Sequence, residues 1–286
     1  MRPKDKPQRR MRTPIVWFGG KGNMTAKLLP LLPAHKRYCE PFGGGASLLF
    51  AKAPAELEVY NDIDEGLVGF FCVLADPSSF GRFYRRVSLL PYSRALYNDY
   101  RRTWAAQKHP VERAVRWFVV NRQSFAGRFG SSWGSVVTAS SRTMTERTSA
   151  WLSAIERLPA AHARLQRVQI ECADWRTILD RYDTSETLFY CDPPYAHASR
   201  SSTRYAHEMS DADHADLVAR LLALQGMAVV SSYASPIYSP LAKAGWRRIA
   251  YKTVCFAAGR TRATGLKGKG SVLRHQKRLE IVWINR

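Results

Sequence analysis

The 286-residue chain contains no apolar run approaching the roughly 20 residues that a membrane span requires. Its first residues are basic, and no apolar stretch follows them as it would in a secretory leader, so residues 1–14 are expected to be a solvated basic tail. Cysteine is sparse. Cys39, Cys72, Cys172, Cys191 and Cys255 are scattered, odd in number and never paired as CxxC. This spacing argues against a disulfide framework and a zinc site, and it suits a reducing cytoplasm. His197, His207 and His214 lie close in sequence but lack metal-ligand spacing on one helix, so no metal is expected. No internal repeat is present.

Acidic side chains are also few. There are 23 Asp and Glu against 44 Lys and Arg, a net charge of +21. From Leu217 to Leu279 there is no acid at all, against twelve Lys or Arg. An excess of this size points to a polyanionic partner, with nucleic acid first and an anionic membrane surface second. Charge alone does not separate DNA from RNA. The densest basic stretch, Gly259–Gly270, interleaves Arg260, Arg262, Lys267 and Lys269 with glycines, which let a main chain follow a phosphate backbone closely. A solvated turn is the competing reading of the same stretch.

The hydrophobic fraction, 45%, is sufficient for a large buried core. Short runs rich in Val, Ile, Tyr and Phe predict strands at Arg37–Phe42, Glu56–Asn61, Arg167–Cys172, Thr187–Asp192, Met227–Ser232, Arg247–Val254 and Leu279–Ile284. Helical patterns at Met24–Leu32, Ala46–Lys52, Asp64–Leu74, Asp211–Leu224 and Pro236–Ala244 separate them. Such alternation predicts an α/β fold, an open and mostly parallel sheet with helices on both faces. It breaks between about residues 76 and 165, where Tyr92–Gln107, Val111–Phe125 and Met144–Leu165 read as helices around a Gly/Ser-rich run. That stretch is expected to be a separate inserted lobe, leaving 15–75 and 166–286 as the sheet domain.

The most specific motif is Asp192-Pro193-Pro194-Tyr195, directly after the apolar run Leu188–Cys191. Open α/β sheets bind ligands beyond the carboxyl ends of their strands, which is where this motif falls. The amino nitrogen of adenine is a poor nucleophile because its lone pair is delocalised into the ring. A carboxylate and a main-chain carbonyl, each accepting one amino hydrogen, would draw the nitrogen toward tetrahedral geometry and free the lone pair for a methyl sulfonium. Asp192 and the carbonyl of Pro193 can fill these roles, with the prolines stiffening the turn. Tyr195 offers a π-face for an extruded base.

Glu40–Ser47, Glu-Pro-Phe-Gly-Gly-Gly-Ala-Ser, places glycines at a strand-to-helix turn, where a ligand can approach the backbone. Without a terminal Lys-Ser/Thr, the turn does not suit a nucleotide triphosphatase. About twenty residues on, Asp62 ends the next strand and can accept hydrogen bonds from ribose hydroxyls, whereas Asp64 is expected to cap a helix. Near the start, Lys21 of Trp17-Phe-Gly-Gly-Lys21 can neutralise the carboxylate of an amino-acid moiety, with Trp17 packing beside it. Alone, this last signal has little specificity.

Taken together and in this order, the motifs resemble those of the Dam-type family of adenine-specific DNA methyltransferases, which runs from W-x-G-G-K through P-F-x-G-x-G and an acidic strand end to D-P-P-Y. The matching residues are Trp17–Lys21, Pro41–Gly45 with Phe42 and Gly43, Asp62, and Asp192–Tyr195. Asn121-Arg122 and the glycine Gly127 look like the segment that opens the family's DNA-contacting hairpin, and Tyr205-Ala-His207 follows the catalytic loop. The resemblance implies a seven-stranded Rossmann-like methyltransferase sheet carrying an inserted helical target-recognition lobe. It also implies S-adenosyl-L-methionine as methyl donor, bound by Trp17, Lys21, Pro41, Phe42, Gly43, Gly45, Asp62 and Asp192, with double-stranded DNA as substrate. Asn121, Arg122, Phe125, Arg128, Phe129, Trp133 and His207 become candidate DNA contacts, together with the basic glycine-rich stretch. No obligatory protein partner is evident, and a monomer or weak dimer is expected. Two other readings stay open: an adenine methyltransferase acting on structured RNA, and a non-catalytic DNA-binding protein on the same fold.

Overall fold

A computed structural model describes residues 10–136, 139–141, 143–195, 208–254 and 277–285. After the short helix α1 (Thr25–Leu28), strand β1 (Arg37–Glu40) leads through a glycine turn into α2 (Ser47–Ala51). Strand β2 (Leu57–Asn61) and helix α3 (Glu65–Ala75) complete the first unit. Asp64 caps α3 as expected, its Oδ1 accepting from the Leu67 amide at 3.0 Å. The chain then passes through α4 (Pro77–Ser88), α5 (Arg94–Thr103) and α6 (Pro110–Gln123). A two-stranded hairpin, β3 (Ala139–Ser141) and β4 (Met144–Thr145), precedes α7 (Glu146–Glu156) and α8 (Leu158–Leu165).

The sheet resumes with β5 (Gln169–Glu171), α9 (Trp175–Tyr182), β6 (Thr187–Cys191) and α10 (Asp211–Ala223). It finishes with β7 (Met227–Tyr233), α11 (Ser239–Lys243), β8 (Arg247–Val254) and β9 (Lys277–Ile284). Its seven strands lie in the order β5-β2-β1-β6-β7-β9-β8, all parallel except β9. The order reverses between β1 and β6, and a crevice at the carboxyl ends of the strands is expected at such a point.

Side chains alternate along each strand between two cores. Tyr38, Tyr60, Leu188, Tyr190 and Val282 face α3 and the helices packed on it, while Cys39, Val59, Phe189, Cys191 and Trp283 face α9, α10 and α11. The stretch between α3 and β5, expected to be a separate inserted lobe, shares its buried side chains with the core on the α3 side of the sheet. Phe70 of α3 stacks on Phe118 and Trp117 of α6, with centroids 5.5 and 4.9 Å away, and Trp151 of α7 joins the same cluster. The predicted helix Met144–Leu165 is two helices, because Pro159 lacks an amide hydrogen and fits only the first turn of α8. Helices α4 and α9 were not predicted, although Asp76-Pro77 and Asp174 supply their caps.

Candidate active site

The crevice between β1 and β6 opens into a cavity of about 740 Å³. The turn after β1 forms one wall. Gly43 donates its amide to the Asn61 carbonyl at 2.7 Å, and Gly44 donates to Asp62 Oδ2 at 2.8 Å. These bonds pull the turn onto the end of β2, leaving no room for side chains: a Cβ on Gly44 would stand 2.6 Å from Trp17 Nε1, and Gly44 has φ +46°. Trp17 therefore lies across this turn. Asp62 Oδ1 accepts from the Asp64 amide at 3.0 Å, and these bonds hold the carboxylate at the cavity wall.

Asn61 had not been singled out. It is buried, and its amide joins three elements, donating to the carbonyls of Pro41 and Ala173 at 2.8 and 3.0 Å and accepting from the Ala173 amide at 2.9 Å. It thereby sets the spacing between the glycine turn and the loop after β5. From that loop Trp175 packs on Phe42, centroids 5.8 Å apart, and Asp174 and exposed Ile63 also line the cavity. An acid and an aromatic directly after a strand were the available signal for Asp174 and Trp175.

Asp192 stands at the end of β6 on the opposite wall, with Pro193 and Tyr195 beside it. Its Oδ1 is 2.7 Å from Lys21 Nζ. Lys21, expected to face a ligand carboxylate, is instead placed among the protein's own acids, with Nζ also 3.3 Å from Glu280 Oε1 on β9. Burial pushes Asp192 above the ordinary carboxylate range, and the Lys21 cation opposes that shift. Tyr195 is 5% exposed, and its hydroxyl meets Lys21, Glu280 and Asp192. Its ring does not stand free as a stacking face but packs on Tyr233, with centroids 4.0 Å apart. Glu40, at the end of β1, accepts from the Tyr38 hydroxyl and the Leu49 amide, and burial raises its pKa to about 7. The motif scan passed over Glu40 and Glu280 as site residues. The only hint of Glu280 was that it is the first acid after Asp216.

The candidate DNA residues divide. Asn121 is buried in α6, its amide accepting from the Val16 amide at 2.9 Å and donating to the Val16 carbonyl at 2.7 Å. It clamps the segment that carries Trp17 and Lys21 and does not reach the surface. Arg122 also turns inward, donating to the Ala150 carbonyl of α7 at 2.9 Å. Burial, with Arg157 and Arg147 nearby, lowers its pKa to about 10. Trp133 closes a loop by bridging to Ser124. Its ring lies on Tyr92, and its Nε1 donates to Gln123 at 3.2 Å, so it anchors the loop and is not free as a wedge. The tip of that loop is different. Arg128 is exposed, Phe129 is 37% exposed against Trp104, and both line the cavity mouth. Phe125 is half-buried in the turn Phe125–Gly127. His207, Arg260, Arg262, Lys267 and Lys269 fall outside the described residues, as does Cys255. His214 is buried and bonded to Tyr238 at 2.9 Å. No helix among the described residues is long and apolar enough to cross a membrane.

The model of the D12 class of N6 adenine-specific DNA methyltransferases matches residues 17–240. The chain belongs to this family. It is similar to a DNA N-6-adenine-methyltransferase of Escherichia phage P1, 25% identical over 64% of this chain and 24% of that protein. A DNA adenine methylase of Vibrio cholerae is 26% identical over 69% of this chain and 71% of the relative. A type II methyltransferase of Methanocaldococcus jannaschii is 23% identical over 71% and 76%. The chain thus matches about a quarter of the phage protein's length and about three quarters of the other two. The family match takes in the glycine turn, Asp62 and the Asp192–Tyr195 loop, and it stops before Glu280.

Proposed function

We propose that the protein transfers a methyl group from S-adenosyl-L-methionine to N6 of adenine at a specific site in double-stranded DNA, with the target base turned out of the duplex. The observation that carries this reading is that Asp192 and the Gly43–Gly45 turn, 147 residues apart in sequence as counted from Gly45, line one cavity. The lining fits the donor's chemistry. Gly43–Gly45 provide a backbone cradle that side chains would fill, Phe42, Ile63 and Trp175 are apolar plates for a purine, and Asp62 places a carboxylate, an acceptor for hydroxyls, on the cavity wall. When bound, the donor supplies a methyl group on a cationic sulfur.

Asp192 accepts one hydrogen of the adenine amino group and the Pro193 carbonyl the other, which localises the nitrogen lone pair. Lys21, 2.7 Å away, favours the ionised form of Asp192 against the effect of burial. The lashed loop that carries Arg128 and Phe129 sits where the displaced base would enter. The basic stretch 259–270 supplies contacts to the phosphate backbone in this reading. Asn121, Arg122 and Trp133 hold that loop and the N-terminal segment in place.

The protein is tested with labelled donor on unmethylated duplex DNA and on ribosomal RNA, and nucleosides are identified by mass spectrometry. N6-methyladenine is expected in DNA. Methylcytosine, or methyladenine in RNA alone, would overturn the assignment of base or of substrate. Asp192→Ala is expected to lower transfer by about 10²–10⁴-fold while DNA binding survives; unchanged turnover would remove Asp192 from the mechanism.

A further inference from the structure

We propose that Glu280 is the last acceptor of the proton released by the target amino group, reached from Asp192 through the Tyr195 hydroxyl. The inference rests on Asp192 accepting that amino hydrogen. Methylation leaves the nitrogen with one proton too many, and nothing in the motif itself says where that proton goes. Lys21 cannot take it, because Lys21 already donates to Asp192. The Tyr195 hydroxyl, however, is 3.3 Å from Asp192 Oδ1 and 2.5 Å from Glu280 Oε1, and unlike the Lys21 ammonium that also lies between these carboxylates it can accept a proton on one side while donating on the other.

The step balances. The nitrogen lone pair forms the N–C bond, the C–S bond breaks with its electrons remaining on sulfur, and the surplus proton passes to Asp192. Tyr195 then takes that proton on its oxygen as its own moves to Glu280, so no tyrosinate forms. This matters because burial holds the Tyr195 phenol well above its ordinary range. Asp192, Glu280 and Lys21 carry a net charge of −1, which a cationic donor brings to zero. After transfer the donor is neutral and Glu280 holds the proton, so the sum is again zero. Across these three groups and the donor the net charge is thus zero both before and after transfer.

Glu280 is 4% exposed, in the middle of β9, in register with Tyr233 of β7 and Tyr251 of β8. The titratable groups around it, among the described residues, are Lys21, Asp192, Tyr195, Tyr190 and these two tyrosines. Burial raises both Glu280 and Asp192 above the ordinary carboxylate range, with Lys21 opposing each shift. A buried acid here does nothing for Lys21 that Asp192 at 2.7 Å does not already do.

The test uses Glu280→Gln and Tyr195→Phe, the latter retaining the ring and losing only the hydroxyl. In single-turnover transfer to duplex DNA at saturating donor each is expected to slow the methyl step about a hundredfold, with donor Kd unchanged in Y195F and weakened in E280Q, which removes a charge that offsets the cationic donor. The acid-side fall in rate should move to lower pH in E280Q, which the loss of a merely structural contact would not cause. Independently of activity, ¹³C-carboxyl NMR of the donor-free protein should show Glu280 titrating above the ordinary glutamate range. In Asp192→Asn that titration should move. Wild-type single-turnover rates in both variants, or a Glu280 titration identical in D192N, would overturn the relay. If E280Q does not fold, Y195F and the NMR titration decide. A wild-type protein that fails to methylate adenine would instead refute the underlying function and would leave the NMR result standing.

Discussion

A Cβ placed on Gly43 would fall inside the ring of Tyr60 and 2.9 Å from the Asn61 carbonyl oxygen. Neither can yield easily: Tyr60 is fully buried with its hydroxyl on the Gly44 carbonyl, and the Asn61 carbonyl accepts from Gly43 itself. Gly43→Ala should cost about 2–3 kcal/mol in chemical denaturation and weaken donor binding in calorimetry. Glu40 makes a different kind of prediction. Its folded pKa of about 7 lies above the ordinary glutamate value of 4.5, so between these pH values the folded protein holds a proton that the unfolded chain has lost. Stability from this group is therefore complete below pH 4.5 and falls as pH rises toward 7, by roughly 3 kcal/mol in total. Denaturation midpoints at pH 5 and 8 should differ less in Glu40→Gln than in wild type. A cation bound in the cavity favours ionised Glu40, so donor affinity should rise through pH 7 in wild type and stay flat in E40Q.

At the scale of elements, two buried contacts tie the stretch between α3 and β5 to the sheet. Glu58 of β2 is 1% exposed, with Lys52 at 2.6 Å on one side and Arg164 of α8 at 2.5 Å on the other. Removing one member of a buried ion set leaves its partner uncompensated, so Arg164→Ala should destabilise by about 3–5 kcal/mol, read as a fall in Tm. The Asn121 clamp on Val16 is the second contact. Asn121→Ala should cost about 1–3 kcal/mol and raise the KM for donor more than it lowers kcat, because Trp17 and Lys21 lose their support. Neither contact was legible in the sequence. Asn121 and Arg122 read as surface polar groups beside a glycine, and only packing shows that their side chains turn inward. The strands were legible, because Thr187–Cys191 and Met227–Tyr233 are buried on both faces and read as continuous apolar runs. The two missed helices, α4 and α9, carry cap signals but sit beside polar surfaces that blur their periodicity.

For the molecule as a whole, a net charge of +21 makes salt the main control on DNA binding. With about 6–10 phosphates neutralised, affinity should fall about 10³–10⁵-fold between 50 and 200 mM salt. A log–log plot of affinity against salt checks this, and a flat plot would exclude a phosphate-dominated interface. The order of motifs along the chain, the alternation of elements and the chemistry available to Asp192, Asp62 and the glycine turn were determined by the sequence alone, because short-range spacing sets local backbone geometry. Only the tertiary structure decided that Lys21 lies beside Asp192, that Asn121 and Trp133 are braces, and that Glu280 meets Lys21 and Tyr195. Those residues lie far apart in the chain, from Lys21 to Glu280, and their roles come from burial and charge balance in a shared space, which one-dimensional spacing does not carry.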